Sequence, residues 1–339
     1  MTRNERNEER EAQSEVRMER VRLGRTEAQV SMISLGTWSH GGPNTVGTRD
    51  VGWSGFDRQK AADSLVEAHA CGINHWDTAD VYGSGGSETL IGEAFTHVPR
   101  DQVFLASKVG WDPGPHRHFY HPDWIRHQLE ASLRRLKTEY LDLYYLHHCQ
   151  FGADDRYLDD ALEVLSRAKE RGDIRFIGLS DWDSSAIMRV IERVDPDVVQ
   201  PYRNLLSDAY MSSGLSAWVA QHDIGAAFFS PLRHGLLLGK YEQATTFPEG
   251  DFRSSDAGFQ DQALITALRQ NADRLKSRFP EHAQPVIFGL VAPMLADGPN
   301  ACVLLGQRNS YQVRAAASVA QSMSPEDAQW VRGIYESLR

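Results

Sequence analysis

Short apolar runs alternate with longer amphipathic stretches along the chain from about residue 20 onwards. The short runs consist mostly of aliphatic, β-branched or aromatic residues, as expected for parallel strands that are buried on both faces. We predict eight strands, over residues 33–36, 73–79, 103–109, 141–148, 176–180, 198–200, 224–230 and 302–306.

The stretches between these runs carry apolar residues near a 3.6-residue period, which is typical of amphipathic helices. Several begin at or beside Ser, Asp or Asn, the residues that cap helix N-termini, and Asp123 is the predicted cap of one helix. We predict helices over residues 57–70, 123–136, 158–169, 184–193, 208–221, 260–279 and 311–320.

Strands that alternate with helices predict an α/β fold, either a (β/α)8 barrel or a doubly wound open sheet. A dinucleotide-binding open sheet carries GxGxxG after an early strand, and Gly83, Gly85 and Gly86 lack that spacing. The segment GLLLGK at 235–240 is one residue short of a phosphate-binding P-loop, and Tyr241 replaces the required Ser or Thr. We therefore predict a (β/α)8 TIM barrel.

Residues 1–17 contain Arg, Glu, Asn and Gln and almost no apolar side chains. Such a segment buries too little surface to offset the entropy of ordering it. We predict a disordered tail over residues 1–17 and a single barrel domain over residues 18–339.

Charge and cysteine content narrow the possible partners and compartment. The net charge of -10 argues against a nucleic-acid partner, because such proteins usually carry a basic face. No apolar run reaches the ~18 residues of a membrane span, and the N-terminus lacks the apolar core of a secretory signal. The 3 cysteines are widely spaced without a CxxC pair, as in reduced intracellular proteins. We predict a cytoplasmic protein without a membrane or nucleic-acid partner.

Polar side chains follow the predicted strands at the end where such barrels place their active sites. Asp77 and Tyr82 come at or after the second strand, Lys108 comes near the end of the third, and His147 near the end of the fourth. A tyrosine with a pKa of about 10 keeps its proton at neutral pH, and a nearby ammonium lowers that pKa. Lys108, held by Asp77, is therefore predicted to tune Tyr82 as a general acid. His147 is predicted to orient a carbonyl oxygen, and a hydride-donating cofactor would complete a carbonyl reduction.

Five sequence motifs occur in the order of one known family. They are DTADVYG at 77–83, ASKV at 106–109, YLDLYYLH at 140–147, GLS at 178–180, and FSPL at 229–232 with GLLLGKY at 235–241. Together with LGRT at 23–26 and LGTW at 35–38, they make the chain resemble the aldo-keto reductases over roughly residues 20–320. The resemblance implies an NAD(P)H-dependent oxidoreductase with a β-hairpin before its barrel.

The resemblance implies the same four catalytic roles and adds a cofactor site. The residues that match the family's cofactor contacts are Ser180, Asp181, Gln200, Phe229, Ser230, Leu232, Arg233, Gly235, Gly306, Arg308 and Gln312. Ser180 and Gln200 would hold the carboxamide, Phe229 would stack on the nicotinamide ring, and the stretch 230–235 would bind the pyrophosphate. Arg308 would bind a 2′-phosphate, so the implied cofactor is NADPH, with NADH as the alternative.

Two places depart from the family pattern. Asp181 stands where many members have Asn, and a carboxylate accepts from the carboxamide NH2 but does not donate to its carbonyl. Ala315 and Ala316 replace a Glu-Asn pair that usually follows the adenosine-phosphate loop. Adenine recognition is therefore expected to be either weakened or built differently in this chain.

Aromatic and polar loops are expected to shape the substrate pocket. Trp38 and Trp111 lie beyond predicted strand ends and are predicted to form its walls. The loops 150–156 and 245–255 are polar or charged, which favours a sugar-like aldehyde or ketone. No metal is predicted, because neighbours in the run HHC at 147–149 diverge along a strand.

Other functions are compatible with the same residues. Oxidation of a sugar or cyclitol hydroxyl would use them in the reverse direction. An NADPH-binding regulatory protein with slow turnover, like channel-associated β subunits, would need a partner surface. A lyase or isomerase that forms a Schiff base on Lys108 would need no nicotinamide. The sequence does not indicate an oligomeric state.

Overall fold

A computed structural model describes residues 18–298 and 300–339. Its strands are β1 (Arg20–Arg22), β2 (Gln29–Ser31), β3 (Ile33–Gly36), β4 (Thr45–Val46), β5 (Arg49–Asp50), β6 (His75–Asp77), β7 (Phe104–Val109), β8 (Leu141–Leu146), β9 (Ile174–Asp181), β10 (Val198–Pro201), β11 (Gly225–Phe228) and β12 (Ala301–Gly306). Eight of them close into a parallel barrel in the order β10-β11-β12-β3-β6-β7-β8-β9. The predicted (β/α)8 barrel is confirmed, and each predicted strand overlaps one barrel strand.

Two antiparallel hairpins accompany the barrel. The pair β1–β2 is the hairpin that the family resemblance implies, and it lies at the N-terminal end of the barrel, where Leu23 contacts Gly225 at the start of β11. Leu23 and Val30 are fully buried against the side chains that fill the barrel from below. The second pair, β4–β5, lies in the loop after β3 and is not predicted from the sequence.

Helices cover the outside of the barrel. They are α1 (Arg58–Ala70), α2 (Gly86–Ala94), α3 (Pro122–Leu136), α4 (Leu158–Arg171), α5 (Ser184–Val194), α6 (Ala209–Ser212), α7 (Leu215–Gln221), α8 (Gln262–Arg278), α9 (Pro285–Ala296), α10 (Ser310–Ala317) and α11 (Pro325–Glu336). The predicted helix over 208–221 is two helices, because Gly214 adopts a left-handed φ of 85° and breaks it. The cap of α3 is His121 rather than Asp123, because the His121 side chain accepts from the Asp123 N–H and Pro122 takes the first helical position.

The inside of the barrel is apolar near the strand starts and polar near the strand ends. Phe104, Leu143 and Val198 belong to a buried apolar cluster inside the lower part of the barrel. Above them lie Asp77, which is 3% exposed, and Lys108, which is 0% exposed. Burying two charged groups in a packed interior costs free energy unless each has a partner. Asp77 and Lys108 therefore need partners at this end of the barrel.

No helix among residues 18–298 and 300–339 is long and apolar enough to cross a membrane. The predicted disordered tail over 1–17 lies outside the described residues. The division into a tail and a single domain over 18–339 stays a prediction.

Candidate active site

Lys108 donates from its Nζ atom to three oxygens at the C-terminal end of the barrel. The first acceptor is the Asp77 carboxylate, the second is the Thr78 backbone carbonyl at 2.8 Å, and the third is the Tyr82 hydroxyl at 3.2 Å. Asp77 ends β6, which pairs with β7 that carries Lys108, and Tyr82 lies in the loop after β6. The strand order therefore brings three of the predicted catalytic residues into direct contact.

The Asp77 carboxylate is held from two sides. Its Oδ1 accepts from Lys108, and its Oδ2 accepts from Gln200 Nε2 at 2.8 Å. The backbone carbonyl of Gln200 accepts in turn from the Ser180 hydroxyl at 2.9 Å. Ser180 and Gln200, the two residues predicted to hold a carboxamide, thus contact each other, and the Gln200 side chain reaches Asp77.

Burial controls the protonation of this cluster. Burial raises the pKa of the Tyr82 phenol well above its usual value, and the charges of Asp77 and Asp80 raise it further. Burial also lowers the pKa of Lys108 and raises the pKa of Asp77, while the ion pair between them opposes both shifts. The structure thus differs from the expected lowering of the Tyr82 pKa, because burial and the two nearby carboxylates disfavour the phenolate. Tyr82 holds its proton at neutral pH.

His147 follows β8 and lies beside Tyr82, with their ring centroids 5.9 Å apart in an edge-to-face arrangement. Burial, assisted by the charge of Lys108, lowers the pKa of His147 well below its usual value, so its ring is neutral. Trp111 lies edge-on to the same ring at 5.9 Å. A neutral imidazole has an N–H to donate, and the N–H of a histidine placed here suits a carbonyl oxygen that approaches Tyr82. Within the described part of the chain, no group of three or more His, Cys, Asp or Glu side chains is arranged to hold a metal ion.

Aromatic rings cover Tyr82. The Trp38 ring is stacked on it, with centroids 5.9 Å apart and planes 20° apart. Trp38 also meets four further rings at centroid distances from 4.9 to 6.4 Å, and these belong to Trp53, Trp182, His234 and Phe252. We call these five rings, Trp38 included, the aromatic wall. Burial lowers the pKa of His234 to about 4, so the wall carries no charge at neutral pH.

The chain turns sharply through left-handed backbone after β11. The φ angle is 56° at Ser230, 41° at Arg233, 57° at His234 and 87° at Gly235. Such turns point successive backbone N–H groups into a concave surface that suits an anion. Arg233 stabilises the turn by donating from Nε and Nη2 to the two oxygens of Asp256, at 3.0 and 2.8 Å.

Phe229 and Leu232 flank this turn. The Phe229 ring lies edge-on to Trp182 at 4.9 Å and to Tyr202 at 5.6 Å. Leu232 packs against the outer core, and its carbonyl accepts from the Gly235 N–H at 2.9 Å. The turn therefore has a flat ring at its start and a fixed backbone in its middle.

Three cationic side chains lie close enough to influence one another. Burial, followed by the charges of Arg253 and Arg308, lowers the pKa of Lys240. Burial, followed by the charge of Arg253, lowers the pKa of Arg308. Gln312 Oε1 accepts from the Arg308 backbone N–H at 2.8 Å and so fixes the loop that follows Gly306. Convergent cations beside a concave backbone turn fit a ligand that carries several phosphates.

The family model described as "Aldo/keto reductase family" matches residues 32–334. This chain belongs to the aldo/keto reductase family. It is therefore an oxidoreductase of a family that uses a nicotinamide cofactor and acts on small carbonyl compounds.

Individual relatives of this aldo/keto reductase match it over most of its length. The NADH-specific methylglyoxal reductase of Escherichia coli (strain K12) is 30% identical over 340 residues, which cover 95% of this chain and 99% of that protein. The structure of the glycerol dehydrogenase AKR11B4 from Gluconobacter oxydans has a TM-score of 0.78 at 28% identity and covers 94% of this chain and 96% of that one. An aldo/keto reductase from Klebsiella pneumoniae in complex with NADP and acetate has a TM-score of 0.68 at 25% identity and covers 94% and 95% of the two chains.

Two departures of this aldo/keto reductase from the family pattern have a structural setting. The Asp181 carboxylate accepts from the backbone N–H groups of Cys149 at 2.7 Å and Asp183 at 2.9 Å, so both of its oxygens hold local backbone. Ala315 and Ala316 are 7% and 2% exposed and pack inwards from α10. Neither alanine offers a polar group to an adenine.

Sequence reasoning missed part of this reductase's site, namely Trp182, His234, Lys240, Phe252 and Arg253. The first three lie inside or directly beside the quoted motifs, so a search for aromatic and cationic neighbours of each motif would have found them. Phe252 and Arg253 lie in a loop without a motif, and only the fold brings that loop against Trp38 and Trp53.

Proposed function

We propose that this enzyme reduces an aldehyde or ketone to an alcohol, with Tyr82 as the general acid. The observation that carries the proposal is the contact of Lys108 Nζ with both the Asp77 carboxylate and the Tyr82 hydroxyl, beside a neutral His147. The Lys108 N–H donates to the phenol oxygen, so the O–H of Tyr82 is left to donate to a substrate. The ammonium then stabilises the phenolate that forms as the proton moves to the carbonyl oxygen.

Asp77 and His147 support this transfer in different ways. Asp77 keeps Lys108 charged and aimed at Tyr82, because it is the buried counter-ion of that ammonium. His147 would orient the substrate by donating to the same carbonyl oxygen. The arrangement disfavours a Schiff-base lyase, because such chemistry needs a neutral amine and Lys108 donates to three oxygens at once.

The described residues fit a nicotinamide dinucleotide, which would supply the hydride when bound. Ser180, Asp181 and Gln200 would meet the carboxamide, and Phe229 would offer a flat face to the ring. The turn from Ser230 through Leu232 and Arg233 to Gly235 would bind the pyrophosphate. Lys240, Arg253 and the loop of Gly306, Arg308 and Gln312 would bind the adenosine phosphates.

NADPH is the proposed cofactor, with NADH as the alternative. Arg308 supports NADPH, because a guanidinium suits the geometry of a 2′-phosphate. The relatives include an NADH-specific reductase and a reductase bound to NADP, so both cofactors are used by similar proteins. Kinetics with the two cofactors side by side decide between them.

The aromatic wall supports a substrate that offers a flat or apolar face. The loop 245–255, whose polar and charged composition favours a sugar-like carbonyl compound, contributes Phe252 to this wall. A sugar ring can stack its C–H face on such rings, and so can an aryl group. We propose a carbonyl compound of either kind, reduced in a cytoplasmic setting that suits 3 free cysteines. The reverse reaction, oxidation of a sugar or cyclitol hydroxyl, would use the same residues.

The testing experiment follows NADPH and NADH oxidation against a panel of sugar, aryl and small dicarbonyl compounds. Tyr82→Phe removes the proposed acid. Tyr140→Phe serves as the matched control, because Tyr140 lies just before β8, at the opposite end of that strand from His147, between Arg100 and Arg175. We expect Tyr82→Phe to lower kcat by about 10²–10⁴-fold while cofactor binding persists, and Tyr140→Phe to keep activity.

Two other outcomes contradict the proposal. Cofactor binding without turnover of any carbonyl would indicate a regulatory protein that resembles a channel-associated β subunit. Failure of the unsubstituted protein to bind either nicotinamide cofactor in equilibrium dialysis would contradict the assignment of cofactor residues.

A further inference from the structure

Arg308 makes a contact that its proposed role at the cofactor does not require. Its Nη1 donates to the backbone carbonyl of Ser54 at 3.0 Å. Ser54 lies in the loop after β5, far from the loop after β12 in sequence. The contact joins the proposed adenosine end of the cofactor site to the loop that carries Trp53.

The same loop is held from its other side by the segment that carries Phe252. Gly52 pairs with Asp251 as an isolated β-bridge, and the Phe252 N–H donates to the Gly52 carbonyl at 2.9 Å. The Ser54 N–H donates to Asp251 Oδ2 at 2.8 Å, and that carboxylate is paired with Arg253 at 2.6 Å. Residues 52–54 are therefore a bridge between Arg308 and the segment 251–253.

This bridge carries part of the aromatic wall. The Trp53 ring lies edge-on to Trp38 at 5.5 Å, and Trp38 is stacked on Tyr82 at 5.9 Å. The guanidinium of Arg253 lies over the Trp53 ring, 4.8 Å from its centroid. A continuous set of contacts thus runs from Arg308 through Ser54, Trp53 and Trp38 to Tyr82.

We propose that Arg308 is a positioning residue for the carbonyl pocket as well as a cofactor residue, and this rests on the proposed reductase function. A guanidinium has five N–H donors, so one can hold the Ser54 carbonyl while the others face a phosphate. Arg308 fixes Trp53 and, through it, the ring that covers Tyr82. Loss of the guanidinium frees this loop and loosens the wall against which the carbonyl compound packs.

A residue that served only the 2′-phosphate would behave differently. Its loss would raise the KM for NADPH and leave the KM for the carbonyl compound unchanged once the cofactor is saturating. A residue that positions the wall changes the KM for the carbonyl compound even with saturating cofactor, and even with NADH, which has no 2′-phosphate.

The test uses Arg308→Met, which keeps the length of the side chain and removes its donors. The matched control is Arg314→Met, the same change on α10 at an arginine whose partner is Glu67 on the surface. Steady-state kinetics are measured with the carbonyl compound varied and with NADH, or NADPH where only that supports turnover, held at saturation. We expect the carbonyl KM of Arg308→Met to rise about tenfold with a smaller change in kcat, and Arg314→Met to match the unsubstituted enzyme.

A second variant keeps the test decisive if Arg308→Met folds poorly. Arg308→Lys retains a cation. We expect it to recover part of the carbonyl affinity that Arg308→Met loses, together with a corresponding part of the lost thermal midpoint. An unchanged carbonyl KM in a folded Arg308→Met enzyme overturns the proposal while leaving the reductase function intact. Absence of turnover in the unsubstituted enzyme instead overturns the reductase function itself.

Discussion

Gln200 donates from Nε2 to Oδ2 of Asp77, 2.8 Å away and 123 residues earlier in the chain. Asp77 therefore divides its two oxygens between Lys108 and a residue proposed to hold the carboxamide of the cofactor. The proposed acid-tuning pair and the proposed cofactor site share one carboxylate, so a change at Asp77 should affect both.

Asp77→Asn should inactivate and destabilise the enzyme together. The change leaves the buried Lys108 ammonium without its counter-ion, which costs about 3–5 kcal/mol in comparable buried pairs. We expect kcat to fall at least about a hundredfold and the free energy of unfolding in urea to fall by about that amount. Asp123→Asn removes a carboxylate from an exposed helix start and serves as control. Full kcat in Asp77→Asn would contradict the proposed role.

Three buried histidines should make the fold sensitive to acid. His40, His75 and His148 are at most 5% exposed, and burial lowers the pKa to about 3 for the first two and to about 4 for His148. The unfolded chain binds their protons near pH 6.5 and the folded chain does not, so stability is retained above that pH. It should decline as pH falls below it, by about 1.4 kcal/mol per pH unit for each histidine, until the folded pKa is reached.

Urea unfolding at several pH values between neutrality and pH 5 measures this decline. His75→Gln should reduce the slope of unfolding free energy against pH by the share of one histidine. His127→Gln replaces an exposed histidine on α3 and serves as the control. Equal slopes in the unsubstituted protein and in His75→Gln would contradict the assignment of this decline to His75.

Two glycines should respond in opposite ways to the same substitution. A Cβ at Gly178 in β9 would lie 2.2 Å from Cδ1 of Tyr145, whose ring is fully buried in the barrel. Gly178→Ala should therefore lower the free energy of unfolding by about 1–3 kcal/mol through overpacking. Gly333 lies in α11 with open space around it, and Gly333→Ala should stabilise the helix by up to about 1 kcal/mol. Thermal unfolding of both variants checks the two signs, and a stabilised Gly178→Ala would be inconsistent with this packing.

Asp256→Asn should weaken cofactor binding. Asp256 accepts two hydrogen bonds from Arg233 and so holds the left-handed turn proposed to bind the pyrophosphate. We expect the KM for the cofactor to rise about tenfold with little change in kcat, because the contacts of Lys108 with Asp77 and Tyr82 are not touched. Asp273→Asn, at an exposed carboxylate paired with Lys276, is the control. A fall in kcat without a change in cofactor KM would assign Asp256 to another role.

The barrel strands were predictable because both of their faces are buried, which leaves short and nearly uninterrupted apolar runs in the sequence. Helix α9 was missed for the opposite reason. Its sequence, PVIFGLVAPMLA, is apolar around most of its circumference and contains Pro293, so it shows no 3.6-residue period. The break at Gly214 was missed because a single glycine inside an amphipathic stretch signals a turn only when its φ is known.

The grouping of Asp77, Lys108 and His147 could be anticipated because these residues stand at strand ends, which a barrel brings to one rim. The direction in which the Tyr82 pKa shifts could not be anticipated, because it depends on how completely the surrounding loops exclude water. The contact of Arg308 with Ser54 also escapes the sequence, since it joins two loops whose separation is set by the closed sheet.

Three of the protein's 8 tryptophans, Trp38, Trp53 and Trp182, belong to the aromatic wall over Tyr82. Reduced nicotinamide absorbs light in the range where tryptophan emits, so a cofactor bound beneath this wall would quench its fluorescence by energy transfer. The tryptophan fluorescence of the wall would therefore report binding of the reduced cofactor, and the quenching would disappear as the nicotinamide is oxidised. Binding and oxidation of the cofactor would then be followed in real time without any added dye.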